Sequence, residues 1–112
     1  MAKAERTLVK SQPELWQLLD EPERMQGLMS SLLGRATEIR VVERDPEVKL
    51  AWESAVADEA GWIGVEMEHK GWGTHVAINA EVSPSWGGVD DWLEAVFEEL
   101  AEPEKRPFRY GI

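Results

Sequence analysis

The sequence predicts an α+β protein: a curved antiparallel sheet of about five strands closed over by a long C-terminal helix, with two short helices after the first strand. Three observations carry this expectation. Between Thr37 and Val82 apolar residues recur at every second position, the period of a half-buried strand. Between Val89 and Leu100 they recur at alternating steps of three and four, the period of an amphipathic helix. Between Ser11 and Gly34 lie two capped helical patterns divided by Pro22.

The first strand is read over Glu5–Lys10, a short run rich in β-branched and apolar residues. Ser11 with Glu14 three residues later is a capping box, and Pro13 suits a first helical turn. Leu15, Leu18 and Leu19 then follow helical spacing, with Trp16 beside them. Asp20 and Glu23 repeat the cap spacing around Pro22, which starts a second helix. Its stripe is Met25, Leu28, Met29, Leu32 and Leu33, closed by Gly34 where a left-handed cap is wanted. Gly27 inside this helix lowers its local stability, which points to close packing against a neighbour.

Two hairpins follow. In the first, Ile39 and Val41 alternate with Glu38 and Arg40; Val48, Leu50, Trp52 and Val56 alternate with Glu47, Lys49 and Glu53; Asp45-Pro46 marks the turn. An even-numbered loop sets Val41 against Leu50 and Ile39 against Trp52, all on one face. In the second, a two-residue Lys70-Gly71 loop pairs Met67 with Thr74, Val65 with Val76, and Ile63 with Ile78. The opposite face then carries Glu66 against His75 and Trp62 against Asn79, while Gly61, Gly64 and Gly73 suggest bends or bulges. After the breaker cluster 83–88, Val89, Trp92, Leu93, Val96, Phe97 and Leu100 form the buried stripe of the last helix. Asp90 and Asp91 complement its N-terminal dipole, Lys105 and Arg106 follow its end, and Pro103 stops it.

Composition narrows the function more by exclusion than by assignment. The chain has 112 residues and no cysteine, so disulfides, thiolate zinc sites and iron–sulfur clusters are excluded. One domain is expected at this length. Its net charge of −10 repels a phosphate backbone, and the basic cluster Lys105, Arg106 and Arg109 reads as a helix-end complement, so nucleic acid is not an expected partner. No apolar run approaches the roughly 18 residues of a membrane span, and the cytoplasm is the expected address.

The order of elements resembles the helix-grip fold of the START-like (SRPBCC) superfamily, the group of Bet v 1, polyketide cyclases and Hsp90-ATPase activators. The resemblance is carried by Arg6-Thr7-Leu8-Val9-Lys10 running into Ser11-Gln12-Pro13-Glu14-Leu15-Trp16-Gln17-Leu18-Leu19, and by Gly87-Gly88-Val89-Asp90-Asp91-Trp92-Leu93 at the start of the gripped helix. It implies binding of a hydrophobic or amphipathic small molecule between sheet and helix. Members of the group usually have more strands and longer chains, so this chain is expected to be a reduced version, with its cavity in question. No motif here matches the catalytic positions of the cyclising or hydrating members.

Six tryptophans are the most unusual feature of the sequence. Trp52 and Trp92 fall on predicted inward faces, and Trp16, Trp62, Trp72 and Trp86 near element ends or the other face. An indole suits the mouth of a pocket, one edge wet and one dry, and it equally suits plugging a small interior in place of a ligand. The candidate ligand-binding lining is Met25, Met29, Trp52, Met67, Trp72, Thr74 and Trp86. His75 with Glu66 has the form of a general base and its orienting partner, although the pair falls on the outward face, and no catalytic residue is assigned. His69 sits at the turn. No metal site and no cofactor is expected, because only Glu66 and His75 converge. Three functions follow: non-catalytic binding of an apolar small molecule; a protein-interaction module with a filled core, pairing with a second copy through a sheet edge; and a small cyclase or hydratase.

Overall fold

The computed structural model describes residues 2–34, 37–55, 60–83 and 88–101. Its elements run β1 (Ala2–Leu8), α1 (Gln12–Leu19), α2 (Pro22–Leu33), β2 (Ile39–Asp45), β3 (Lys49–Ser54), β4 (Ala60–Lys70), β5 (Gly73–Ser83) and α3 (Val89–Ala101). The five strands form one antiparallel sheet in the order β1-β5-β4-β3-β2, so the first strand returns beside the last. The fold class expected from the sequence is therefore the one observed.

Strand β1 begins and ends earlier than its composition suggests. It pairs with β5 from Ala2 opposite Ala80 to Leu8 opposite Thr74. Thr74 Oγ1 then donates to Lys10 O at 2.7 Å, which anchors the chain as it turns into α1. Helix α1 starts as its sequence indicates: the Ser11 hydroxyl accepts from Glu14 N, and the Glu14 carboxylate accepts from Ser11 N. The cap expected for α2 at Asp20 is not formed. Glu21 is its N-cap and makes no side-chain cap bond, because Asp20 instead meets Arg44 of β2 at 2.7 Å. Gly34 ends α2 with φ 78°, the left-handed closure that glycine reaches without cost.

Both hairpins change the expected partners; the second keeps its expected faces, while in the first Val41 and Val48, expected inward, are 37% and 45% exposed. Strands β4 and β5 pair without interruption from Ala60 opposite Ser83 to Lys70 opposite Gly73. The two-residue loop is therefore Gly71-Trp72, one position later than the Lys70-Gly71 reading. Gly71 takes φ 58° at the first loop position, where this hairpin turn requires glycine. Met67 consequently faces Val76, and Val65 faces Ile78, a shift of two residues that leaves every side chain on its predicted face. The ladder holds no bulge at Gly61, Gly64 or Gly73. Those glycines provide room instead: a Cβ at Gly64 would collide with the Trp62 indole, and one at Gly73 with the carbonyl of Leu8.

The bulge lies in β2, between Val41 and Glu43. It sets Val41 opposite Trp52 and Ile39 opposite Ser54, in place of the predicted Val41–Leu50 and Ile39–Trp52 pairs. The turn that precedes β3 carries Pro46 and then Glu47 at φ 66°, held from outside by Gln12 Nε2, which donates to Glu47 O at 2.9 Å.

The inner face of the sheet is covered twice. Helix α3 lies against β1 and β5, and α2 lies against β4, β3 and β2. The last helix thus shares the concave wall with α2 rather than spanning it alone. Its stripe Val89, Trp92, Leu93, Val96, Phe97 and Leu100 is buried, as its periodicity predicts. Arg6, on the inner face of β1, closes the edge of this interface by lying 5.2 Å from the Phe97 ring centre and pairing with Glu94 at 2.8 Å. The positions Val56, Glu102, Pro103, Lys105, Arg106 and Arg109 lie outside the described residues.

Candidate functional site

Four of the seven predicted lining residues, Met25, Met29, Trp52 and Met67, belong to the buried core between the sheet and the helices, and Thr74 is buried at the start of β5. Met25 and Met29 descend from α2, Trp52 rises from β3, Met67 from β4 and Thr74 from β5; none is more than 3% exposed. Trp72 is not among them. It stands 98% exposed at the tip of the β4–β5 hairpin, because the loop falls one residue later than expected and lifts the indole off the strand. Trp86 lies outside the described residues.

Among the described residues the side chains of this seam are closely packed. A void large enough for water would leave accessible area on whatever lined it, yet Leu15, Leu19, Met29, Leu32, Leu50, Trp52 and Val76 have none, at 0% exposure. Polar handles within the seam are also spent on the protein. The Trp52 indole N–H donates to Met25 O at 3.0 Å, tying β3 to α2. The Trp92 indole N–H donates to Ser31 Oγ at 2.8 Å, and Ser31 donates in turn to Leu28 O at 2.9 Å. Thr74 is committed to Lys10 O. Of the remaining tryptophans, Trp16 packs partly against the core and Trp62 lies over Gly64 on the outer face.

The outer face carries a groove of about 420 Å³ bordered by Lys3, Glu5, Lys49, Glu66, Glu68 and His75, with Ala77 as its floor. The register corrects the anticipated pairing: Glu66 lies opposite Ala77, and His75 lies opposite Glu68 and Thr7. His75 is held by β1. Its Nε2 lies 2.9 Å from the Glu5 carboxylate, and its Nδ1 lies 3.3 Å from the Thr7 hydroxyl. Both ring nitrogens are thereby engaged, and neither is directed at a substrate proton as a general base requires. The hydrogen bond from His75, and then the charge of Lys3, hold the Glu5 carboxyl below its ordinary value of 4.5. Lys49 is held above 10.5, first by its bond to Glu66 and then by the charge of Glu43. Among the described residues no group of three or more metal-ligating side chains converges.

A second groove, of about 440 Å³, runs between the first turns of α2 and the end of α3. Gly27 and Leu28 lie within it, with Glu21, Glu23, Arg24 and Glu99 around them. Periodicity gave no sign of this groove. The one signal was Gly27 itself, a glycine in a helix interior. Among the described residues no heavy atom lies within 4 Å of where its Cβ would stand, so none of them packs closely on it.

No protein-family model and no curated protein matches the sequence. Solved structures do match in shape. A crystal structure of a protein from Mesorhizobium loti superposes with a TM-score of 0.72 at 17% identity, covering 89% of this chain and 93% of that one. The AHSA1-like protein of Rhizobium etli gives 0.62 at 17% identity, covering 96% and 86%. The Aha1 dimer of Colwellia psychrerythraea gives 0.63 at 11% identity, covering 89% and 90%. The chain spans most of the length of each of these proteins. Among the described residues no helix is long and apolar enough to cross a membrane. At these identities the likeness is one of fold: a five-stranded sheet closed by a C-terminal helix, the helix-grip arrangement of Aha1-like proteins.

Proposed function

We propose that this chain is a non-catalytic interaction module that binds partners through its surface, its interior being filled. The observation that supports this reading is the seam between sheet and helices, where Trp52, Met29 and Leu50 have no exposed area. Small-molecule sites are clefts of roughly 300–1,000 Å³ lined by apolar side chains and a few free polar groups. Here the apolar groups touch each other and the polar ones are bonded within the protein. A cytoplasmic setting, a single domain and association with a second copy belong to the same proposal.

The other reading is an apolar small molecule held between sheet and C-terminal helix, the use that the START-like resemblance implies. One observation favours it: Met25, Met29 and Met67 all lie on the seam, and unbranched thioether chains repack more readily than branched ones. Titration of the protein with long-chain fatty acids and a lipophilic dye, followed by tryptophan emission and calorimetry, separates the two. Surface binding predicts no saturable change. A saturable 1:1 quench that disappears in Met29→Trp would overturn the filled-core reading in favour of the ligand.

A further inference from the structure

We propose that the groove between α2 and α3 receives the β4–β5 hairpin tip of a second copy of this chain, with Trp72 as the inserted side chain. This names the partner and the surface of the interaction module proposed above, and it rests on that reading.

The argument begins with a glycine that costs stability. Gly27 sits inside α2, where glycine is destabilising relative to alanine. No described neighbour requires its small size, since among the described residues nothing lies within 4 Å of its missing Cβ. What the missing side chain does is leave the groove open above Leu28. The wall is firm, because Ser31 of α2 is tied to the Trp92 indole of α3 at 2.8 Å and Arg24 to Glu99 at 2.5 Å. The rim is acidic, with Glu21, Glu23 and Glu99 against the one arginine. Among the described residues Arg24 Nε is buried without a hydrogen-bond partner, a donor that a carbonyl of an inserted turn can satisfy.

The hairpin tip has the complementary chemistry. Trp72 is 98% exposed and Val9, beside Gly73, is 89% exposed, the two barest large apolar side chains among the described residues. They are held rigidly. Gly71 fixes the turn at φ 58°, and Gly73 presses on the Leu8 carbonyl with no room for a side chain. Tryptophan is enriched among the side chains that dominate protein interfaces, and holding it in place beforehand lowers the cost of binding. The hairpin tip 69–73 contains His69 and Lys70 and no carboxylate, in a chain with 22 acidic and 12 basic residues. A cationic, apolar tip and an acidic groove with an apolar floor match in sign and in shape. Trp72 does not occupy the groove of its own molecule, since it is exposed. The contact is therefore between copies: reciprocal insertion closes a dimer, and one-way insertion propagates a chain. An anionic membrane is the weaker host for this tip, because the protein as a whole carries −10.

Sedimentation equilibrium of the whole chain over a wide concentration range tests the proposal. The wild type is expected to associate, and Trp72→Ala and Gly27→Leu are each expected to weaken association at least about tenfold. Gly27→Leu should do so with circular dichroism and thermal midpoint at or above those of the wild type, which separates a filled groove from a lost fold. Lys70→Glu and Glu23→Lys are each expected to weaken self-association, and mixing the two variants to restore it between them. A protein that stays monomeric throughout overturns the proposal, as does association that neither Trp72→Ala nor Gly27→Leu alters. Either result leaves the filled-core reading standing, which falls only to saturable ligand binding in the seam.

Discussion

The two faces of the sheet are built from the same five strands and solve opposite problems. On the inner face Leu50, Trp52, Ile63, Val65, Val76 and Ile78 meet two helices and are buried to 1% or less. On the outer face no helix covers the strands, yet Ala51 and Ala77 are only 2% and 7% exposed. Small residues are shielded there by long ones: Trp62 lies over Gly64, and Lys49 reaches across to Glu66 at 3.4 Å. The inner face gains from close packing, where each lost methylene is felt. The outer face gains little from its ion pairs, because exposed pairs in water contribute only about 0–1 kcal/mol. The inner face therefore carries the larger share of the stability.

Substitutions on the two faces can break this contrast. The largest effect is expected from Trp52→Ala, which empties the centre of the seam and removes the bond to Met25 O. Urea unfolding should show a loss of roughly 3–5 kcal/mol, and a loss below about 1 kcal/mol would mean the seam is loose. Gly64→Ala on the outer face pushes against the edge of the Trp62 ring, which can swing toward solvent. Its expected cost is about 1 kcal/mol, accompanied by a red shift in tryptophan emission as the indole leaves the strand.

The smallest effect is electrostatic and sharpens the contrast by its pH dependence. Glu5 is held below its ordinary value of 4.5 by His75 and Lys3. A carboxyl depressed in the folded state adds stability above its unfolded value, and that stability is lost as the pH falls through the folded one. Glu5→Gln should therefore lower the thermal midpoint slightly at neutral pH and leave it unchanged in strong acid. Equal effects at both pH values would show that the outer-face network does not act through charge.

Much of the fold was legible in the sequence because a strand exposes its faces through parity. A loop misplaced by one residue moved the β4–β5 register by two, so Ile63, Val65, Met67 and Val76 kept their inward positions. Parity does not reveal which residues form the turn itself, and Trp72 was read as lining when it is the tip. The bulge in β2 was hidden for a related reason: one extra residue leaves the apolar pattern of Val41 and Ile39 unchanged and gives them different partners. At the candidate site, the burial of Met25, Met29, Trp52 and Met67 in one core cluster followed from periodicity. Whether those residues line a space or fill it depends on volumes and rotamers, which an apolar pattern does not encode. The α2–α3 groove was illegible because it is created by the side chain that Gly27 lacks.

The central claim is that nothing but protein occupies the space between the sheet and its two helices. Crystals pressurised with xenon test it directly, since xenon enters apolar cavities that exclude water. The account predicts no xenon density among Met25, Met29, Trp52 and Met67. An ordered xenon atom in that seam would contradict it and would return the interior to the role of a binding site.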